Sequence, residues 1–227
     1  MKLNHDSKCA EYTGKVVVGG APQVRHAVGL DITKLAVGPY ANNVYLLRCT
    51  TTGDCLLIDA AADPDSILGI PGARRISQIL TTHFHYDHWG ALATVATATG
   101  ARTLMHPADA VGVPVPTDVH VRDGYTITVG ELTMTAMLLV GHTLGSLAVV
   151  YDEPSGRRHI FTGDALFPGG IGKTHDEPRL FESLYSDVVS KIFDTSHDDT
   201  WVYPGHGHDT TVGYERRNLA EWADRGW

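Results

Sequence analysis

Four side chains that can bind a metal ion fall within six residues of this chain. The segment reads THFHYDH over 82–88, directly after an apolar run. Side chains two positions apart on a strand point to the same side, so His83 and His85 can hold one ion together. Where the chain then turns, Asp87 and His88 can be directed toward a neighbouring ion. The spacing predicts a metal centre, and the alternative is a polar loop of exposed imidazoles.

Three more candidate ligands each follow a strand-like run that ends in glycine. His142 follows LLVG, Asp164 follows IFTG, and His206 follows VYPG. Glycine lets the backbone turn closely around a site, so these positions suit ligands brought in from distant parts of the chain. A single His or Asp there would usually be a capping or turn residue. Together with the first cluster, the three predict one shared site.

The elements that must position these residues follow one pattern twice. Short β-branched and apolar runs separated by Gly, Pro and Asn turns form a meander, and a β-α passage follows each meander. Strands are predicted at 16–18, 30–37, 44–47, 55–58, 76–80, 103–105, 125–129, 132–139, 146–151, 159–162 and 201–203. Helices are predicted from Asp63-Pro64 and over 88–99, 179–193 and 213–222.

This order predicts an α/β (α+β) fold in which two mixed β-sheets pack face to face with helices outside, an αββα sandwich. No repeat, linker or composition break divides the sequence, so one domain is expected over 1–227, with its core at about 30–215.

The motifs THFHYDH, GHTLGS, FTGD and PGHG, in this order, resemble the metallo-β-lactamase superfamily. The stretches FTGDALF, GIGKT and TTVG make the chain most similar to its glyoxalase II-like hydrolases. The resemblance implies that His83, His85 and His142 hold one metal, that Asp87, His88 and His206 hold a second, and that Asp164 bridges both. Two divalent ions are expected, zinc first, although an all-His and carboxylate set also suits iron and manganese.

The implied reaction is hydrolysis of a thioester of a small thiol carrier, by attack of a hydroxide that bridges the two metals. Asp87 is expected to orient that nucleophile and take up a proton. Lys173, in the GIGKT segment, is expected to contact a carboxylate of the carrier, and the alternative is a solvated loop lysine. His106, His120, His175 and His208 match no ligand position and are expected to be surface or loop residues.

Other activities stay open at this stage. A lactonase or other ester hydrolase would share the dinuclear site, and persulfide dioxygenases keep similar ligands but use one iron and O₂. The sequence ends at Trp227, about twenty residues after His206. A short C-terminal helix is therefore expected in place of the long helical region with which glyoxalase II contacts glutathione. That leaves the identity of the thiol carrier open.

Composition limits the partners. The 227 residues include 18 Lys and Arg against 26 Asp and Glu, a formal charge of −8. That balance disfavours a nuclease or a nucleic-acid partner, which needs clustered cations. No run approaches a membrane span, and no apolar leader is present near Met1. Three cysteines, Cys9, Cys49 and Cys55, form no disulfide pattern. A cytoplasmic monomer or homodimer acting on a small molecule is expected.

Overall fold

Two β-sheets pack against each other in the computed structural model, which describes residues 12–226. The first sheet has seven strands in chain order. They are β1 (Gln23–Ala27), β2 (Leu30–Val37), β3 (Asn42–Cys49), β4 (Cys55–Ile58), β5 (Ile76–Leu80), β6 (Arg102–Met105) and β7 (Val119–His120). β1 to β4 form an antiparallel meander, and β4 to β7 are parallel.

The second sheet has six strands, of which one neighbouring pair is parallel. Its strands are β8 (Thr126–Val129), β9 (Leu132–Leu138), β10 (Leu147–Asp152), β11 (Arg158–Gly163), β14 (Trp201–Pro204) and β15 (Thr210–Thr211). Their order is β15-β14-β11-β10-β9-β8, and only β11 and β14 are parallel. A separate hairpin is made by β12 (Leu166–Phe167) and β13 (Gly170–Ile171).

Helices cover the outer faces of both sheets. They are α1 (Pro64–Leu68), α2 (Leu92–Thr99), α3 (Pro107–Ala110), α4 (Pro178–Asp187), α5 (Val212–Glu215) and α6 (Leu219–Arg225). Buried apolar side chains form one cluster between the sheets and two outer clusters, one under α1 and α2 and the other under α4 and α6. Burial of both faces explains why β4 is apolar along its whole length. The predicted αββα sandwich of two mixed sheets is confirmed.

Some predicted elements were wrong or displaced. Residues 16–18 form no strand: Val17 is 69% exposed, and its carbonyl accepts a hydrogen bond from Gly20 N in a turn. The first strand is instead the polar segment β1, which lacks an apolar run and is held by its pairing with β2. The helix predicted at 88–99 begins at Leu92, after a 3-10 turn over Tyr86–His88. The one predicted at 179–193 is α4 followed by a π-helical turn.

The carboxyl ends of several strands meet at one edge of the sandwich. β5 leads to the 82–88 segment, β9 to the loop with His142, β11 to Asp164, and β14 to His206. Hydrogen bonds join these loops across the two sheets, from Leu147 N to Thr82 O and from Asn43 N to Gly205 O. The polar residues predicted to share a site therefore meet through the sheet topology.

Two further observations concern the cysteines and the length of the helices. Cys49 and Cys55 are buried free thiols, and Cys9 lies outside the described residues. Within residues 12–226, no helix has the length and apolar character that a bilayer crossing requires.

Candidate metal centre

Three imidazole nitrogens converge at the end of β5. His83 Nε2 lies 3.0 Å from His85 Nδ1, and His142 Nε2 lies 3.2 Å and 3.0 Å from those two atoms. Three nitrogens bound to one tetrahedral zinc ion at 2.0–2.1 Å would be about 3.3 Å apart. The spacing of the three atoms is therefore close to that of a ligand triad.

Hydrogen bonds on the opposite ring nitrogens direct lone pairs into this triad. His142 Nδ1 donates to the Lys173 carbonyl at 2.8 Å, so Nε2 of the neutral ring is an acceptor. The Thr82 hydroxyl donates to Asp59 Oδ2 at 2.9 Å and therefore accepts from His83 Nδ1 at 3.0 Å. Such outer partners fix the tautomer of a metal-binding histidine. Two lone pairs aimed at one point repel each other unless a cation lies between them.

A second group lies beside the triad. Asp87 Oδ2 is 3.4 Å from His206 Nε2 and 3.7 Å from His88 Nε2. His206 Nδ1 donates to the carbonyl of Tyr40 at 3.0 Å, and His88 Nδ1 donates to Asp59 Oδ2 at 2.8 Å. In their neutral forms, both rings therefore present Nε2 as an acceptor toward the Asp87 carboxylate.

Asp164 lies between the two groups. Its Oδ2 is 3.7 Å from His142 Nε2 and 3.6 Å from His206 Nε2, and its Oδ1 is 3.4 Å from His88 Nε2. His88 Nε2 and Asp164 Oδ1 are both buried, and neither has a hydrogen-bond partner of good geometry. Buried polar atoms without partners are rare in folded proteins, and each calls for an explanation such as an ion. The donor set therefore suits divalent cations at this place.

The electrostatics of the cluster favour a cation. Burial, reinforced by neighbouring imidazoles, holds the pKa of His83 well below its usual value, and burial also lowers the pKa of His85 and His142. Burial would likewise lower the pKa of His88, but the carboxylates of Asp59 and Asp164 outweigh it and raise that pKa to about 10. A metal ion bound here would replace the His88 proton, as is usual when metals bind histidine.

Close packing around the cluster depends on a glycine. A Cβ on Gly205 would lie 2.2 Å from Asp164 Oδ1 and 2.8 Å from a carbon of the His88 ring, so any side chain there would displace both groups. The backbone at Gly205 therefore passes directly against the cluster, as expected for a glycine that lets the chain turn closely around a site.

A buried carboxylate ties two of the loops together. Asp109 Oδ2 accepts hydrogen bonds from Phe84 N at 3.0 Å and from the Thr143 hydroxyl at 2.6 Å. Phe84 lies between His83 and His85, and Thr143 follows His142. Asp109 therefore fixes the relative position of the loops that carry the triad.

Lys173 lies at the rim of the cluster. Its carbonyl oxygen binds His142, and its exposed side chain lines a cavity of about 620 Å³ together with Phe167 and His175. His175 is exposed, as expected, but its ring centroid is only 6.3 Å from that of His142. The other three histidines that the sequence analysis named with it lie elsewhere. His120 and His208 are exposed, and His106 is a buried loop residue at the N-cap of α3.

Besides Asp109, two further supporting residues escaped the sequence analysis. Asp59, 1% exposed, directly follows β4 and accepts from Thr82 N at 2.7 Å in addition to its bonds to the Thr82 hydroxyl and His88. Its signal was available, since it is an acidic residue directly after a wholly apolar strand. Asn42, at the start of β3, donates through Nδ2 to Asp87 Oδ2 at 2.9 Å. Nothing in its local sequence distinguishes it from a turn residue.

Comparison with known proteins gives the family. The profile of the metallo-beta-lactamase superfamily matches residues 37–206. A hydroxyacylglutathione hydrolase of Polaromonas sp. is 33% identical over 174 residues, which are 74% of this chain and 63% of that relative. The chain thus spans less than two thirds of that relative's length.

Solved structures agree with this assignment. ETHE1 from Myxococcus xanthus has a TM-score of 0.72 and 26% identity, covering 85% of this chain and 84% of its own. TTHA1623 in a di-iron-bound form has a TM-score of 0.64 and 30% identity, covering 81% of this chain and 96% of its own. The fold of such proteins implies divalent metal ions, which the His and Asp cluster is suited to bind. The chain belongs to the metallo-beta-lactamase superfamily and, within it, is similar to hydroxyacylglutathione hydrolases.

Proposed function

We propose that this protein is a dinuclear metal-dependent hydrolase that cleaves thioesters of a small thiol carrier. His83, His85 and His142 hold one metal, and Asp87, His88 and His206 hold the second, with Asp164 between them. The observation that carries the proposal is the convergence of these groups, in which the buried atoms His88 Nε2 and Asp164 Oδ1 lack hydrogen-bond partners. The similarity to hydroxyacylglutathione hydrolases supports the thioester as substrate.

Bound divalent metals supply an activated water at neutral pH and polarise the substrate carbonyl. Hydrolysis adds the water oxygen to the acyl carbon and breaks the C–S bond, releasing a carboxylate and a thiol. Asp87 orients the attacking water and receives a proton from it. The Asn42 amide, which donates to Asp87 Oδ2 at 2.9 Å, holds that carboxylate in one orientation.

Lys173 binds the carrier. It lines the cavity of about 620 Å³ next to His142, and an ammonium there attracts a carboxylate of an anionic thiol. The side chain is exposed, so it can meet a ligand without a large desolvation cost.

Zinc is the proposed metal, because three histidines at these separations suit tetrahedral zinc. The likeness to a di-iron-bound protein supports iron as an alternative, and the same donor set accepts manganese. We further propose a single domain acting in the cytoplasm as a monomer or homodimer. The cysteine content supports that location.

The test combines metal analysis with a substrate panel. Elemental analysis of the purified protein should find divalent metal, and S-lactoylglutathione or a related acyl-thiol should be hydrolysed faster than acyl-homoserine lactones. His85→Ala should lose metal and hydrolysis but stay folded. His120→Ala, which removes an exposed histidine on β7, is the matched control and should change neither. Full activity in metal-free His85→Ala protein would refute the proposal.

A mono-iron persulfide dioxygenase-like enzyme is the second candidate, favoured by the structural likeness to ETHE1. The sequence similarity to hydroxyacylglutathione hydrolases supports the dinuclear hydrolase instead. Oxygen uptake with a persulfide substrate, measured on the same iron-loaded preparation, separates the two. Uptake without thioester hydrolysis would favour the dioxygenase.

A further inference from the structure

A second cavity, of about 200 Å³, adjoins the metal centre at a different place. Tyr40, Ala62, Pro64 and Tyr86 line it, and Asp87 forms its boundary with the cluster. Within the described part of the chain, it shares no lining residue with the larger cavity that holds Lys173. The cluster therefore opens onto two separate spaces.

The walls of the smaller cavity are tied directly to the proposed ligands. The Tyr40 carbonyl accepts from His206 Nδ1 at 3.0 Å, and Tyr86 stands in the sequence between His85 and Asp87. A group that contacts Tyr86 in this cavity would consequently lie next to both ligand groups, because Tyr86 adjoins His85 of one group and Asp87 of the other in the sequence. That is the position required of the part of a substrate next to the scissile bond.

The chemistry of the walls suits an uncharged, apolar group. The described lining includes no Lys, Arg or His. Its two acidic residues are Asp87 and Asp63, and Asp63 Oδ2 accepts from Gly38 N at 2.9 Å. Carboxylates disfavour an anionic carrier here, whereas the cation Lys173 lines the other cavity.

Two tyrosine rings beside this cavity are largely exposed to solvent. Tyr40 and Tyr86 are each 69% exposed, and the Tyr86 ring meets that of Trp89 in a T-shaped contact with ring centroids 5.0 Å apart. Exposed aromatic groups beside a cleft are typical of ligand contact surfaces.

We propose that this cavity, the acyl pocket, binds the apolar acyl group of the thioester while the carrier lies in the cavity of Lys173. The inference rests on the proposed hydrolase function and adds its substrate class: alkyl or aryl acyl groups, with no requirement for a polar substituent. The size agrees, because a cavity of about 150 Å³ already holds benzene. A volume of about 200 Å³ has room for a phenyl ring or a short alkyl chain.

The experiment compares S-acetyl-, S-butyryl-, S-hexanoyl- and S-benzoylglutathione on the metal-loaded protein. The value of kcat/KM should rise with acyl length, by up to about fourfold per buried methylene, until the pocket is full. Ala62→Phe fills the pocket and should lower the hexanoyl-to-acetyl ratio of kcat/KM at least tenfold. Tyr86→Ala removes an exposed wall and should lower the same ratio by a smaller factor.

Tyr214→Ala is the matched control, because it removes a similarly exposed tyrosine on α5 that does not line the pocket. It should leave the ratio unchanged. Binding of the product hexanoate, measured by calorimetry, should weaken at least tenfold in Ala62→Phe, which provides a readout independent of turnover.

The outcomes separate the two proposals. The same dependence on acyl length in wild type and Ala62→Phe, with equal hexanoate affinity, would overturn the acyl pocket and leave the hydrolase intact. Hydrolysis of none of the four thioesters by metal-loaded wild type would overturn the hydrolase itself.

Discussion

Two of the buried polar clusters within residues 12–226 differ in one respect, and the difference separates structure from function. Behind the His206 loop, Lys34 Nζ donates to Gly14 O at 2.8 Å, Gly207 O at 2.9 Å and Asp209 Oδ1 at 2.6 Å. Tyr12 completes this closed cluster by donating to Asp209 Oδ2 at 2.5 Å. All three ammonium protons thereby have acceptors.

The metal centre, by contrast, is an open cluster. Its outer atoms are bonded as fully as those of Lys34, through Asp59, Thr82 and the carbonyls of Tyr40 and Lys173. Its inner atoms are imidazole nitrogens and carboxylate oxygens that face one another. The Asn42 amide donates to one of them, Asp87 Oδ2, whereas His88 Nε2 and Asp164 Oδ1 are buried without partners. A closed polar cluster stabilises a fold, whereas an open one is built to receive something of opposite charge.

The largest predicted effect is on the open cluster. Asp164→Asn removes the charge between the two ligand groups while keeping the shape. The value of kcat/KM for thioesters should fall roughly ten-thousandfold, about 5.5 kcal/mol of transition-state stabilisation. Steady-state kinetics with metal analysis of the same samples measure it. A variant that keeps its metal and loses less than tenfold would show that Asp164 is not a bridging group.

The next effect concerns the closed cluster. Lys34→Met leaves the Asp209 carboxylate, 1% exposed, without its cation, and the free energy of unfolding of the metal-free protein should fall by about 3–5 kcal/mol. Urea denaturation measures it. The double variant Lys34→Met/Asp209→Leu should recover part of the loss, since no unpaired charge remains. A loss below about 1 kcal/mol in the single variant would contradict the structural role of the pair.

A smaller effect is expected where bonded outer atoms support the open cluster. Asp59→Asn removes an acceptor from His88 or Thr82, and such changes weaken metal affinity by about 10–100-fold. Competition with a chromophoric chelator measures the affinity. Asp54→Asn, which alters an exposed carboxylate paired with Arg75, is the control. Unchanged affinity in Asp59→Asn would show that its hydrogen bonds do not orient the ligands.

The smallest effect is expected at the exposed rim. Lys173→Ala should raise KM for glutathione thioesters roughly threefold to fivefold and leave kcat almost unchanged, because an exposed ion pair contributes little. A thioester of a carrier without carboxylates is the control and should show no change. An equal rise in KM for both carriers would remove the proposed charge contact.

The sequence predicted the candidate metal ligands better than it predicted the residues that support them. Period-two spacing predicted that His83 and His85 lie together. Gly-His or Gly-Asp after an apolar run predicted that His142, Asp164 and His206 are candidate ligands. These signals are local in the sequence, so they can be recognised without a structure. Asn42 was missed because its contact to Asp87 joins residues 45 positions apart, and sheet pairing alone brings them together.

Predictions of secondary structure also succeeded where the signal is local in the sequence and failed where distant residues decide the structure. Buried strands were predicted well, because their apolar runs are contiguous in sequence. The edge strand β1 was not predicted, because it is held by its pairing with β2. The break between the 3-10 turn and α2 was not predicted either, because the conformation of the loop with the proposed ligands determines it. The acyl pocket likewise combines residues of three separate segments, so no local pattern indicates it.

The central claim, that the open cluster is a metal-dependent thioesterase centre, is tested most directly by titrating chelator-stripped protein with Zn²⁺ while following release of free thiol from S-lactoylglutathione. The account predicts almost no thiol release from the stripped protein and a rate that rises with bound metal until two ions are bound per chain. A rate of thiol release that is high in stripped protein and independent of added metal would contradict it.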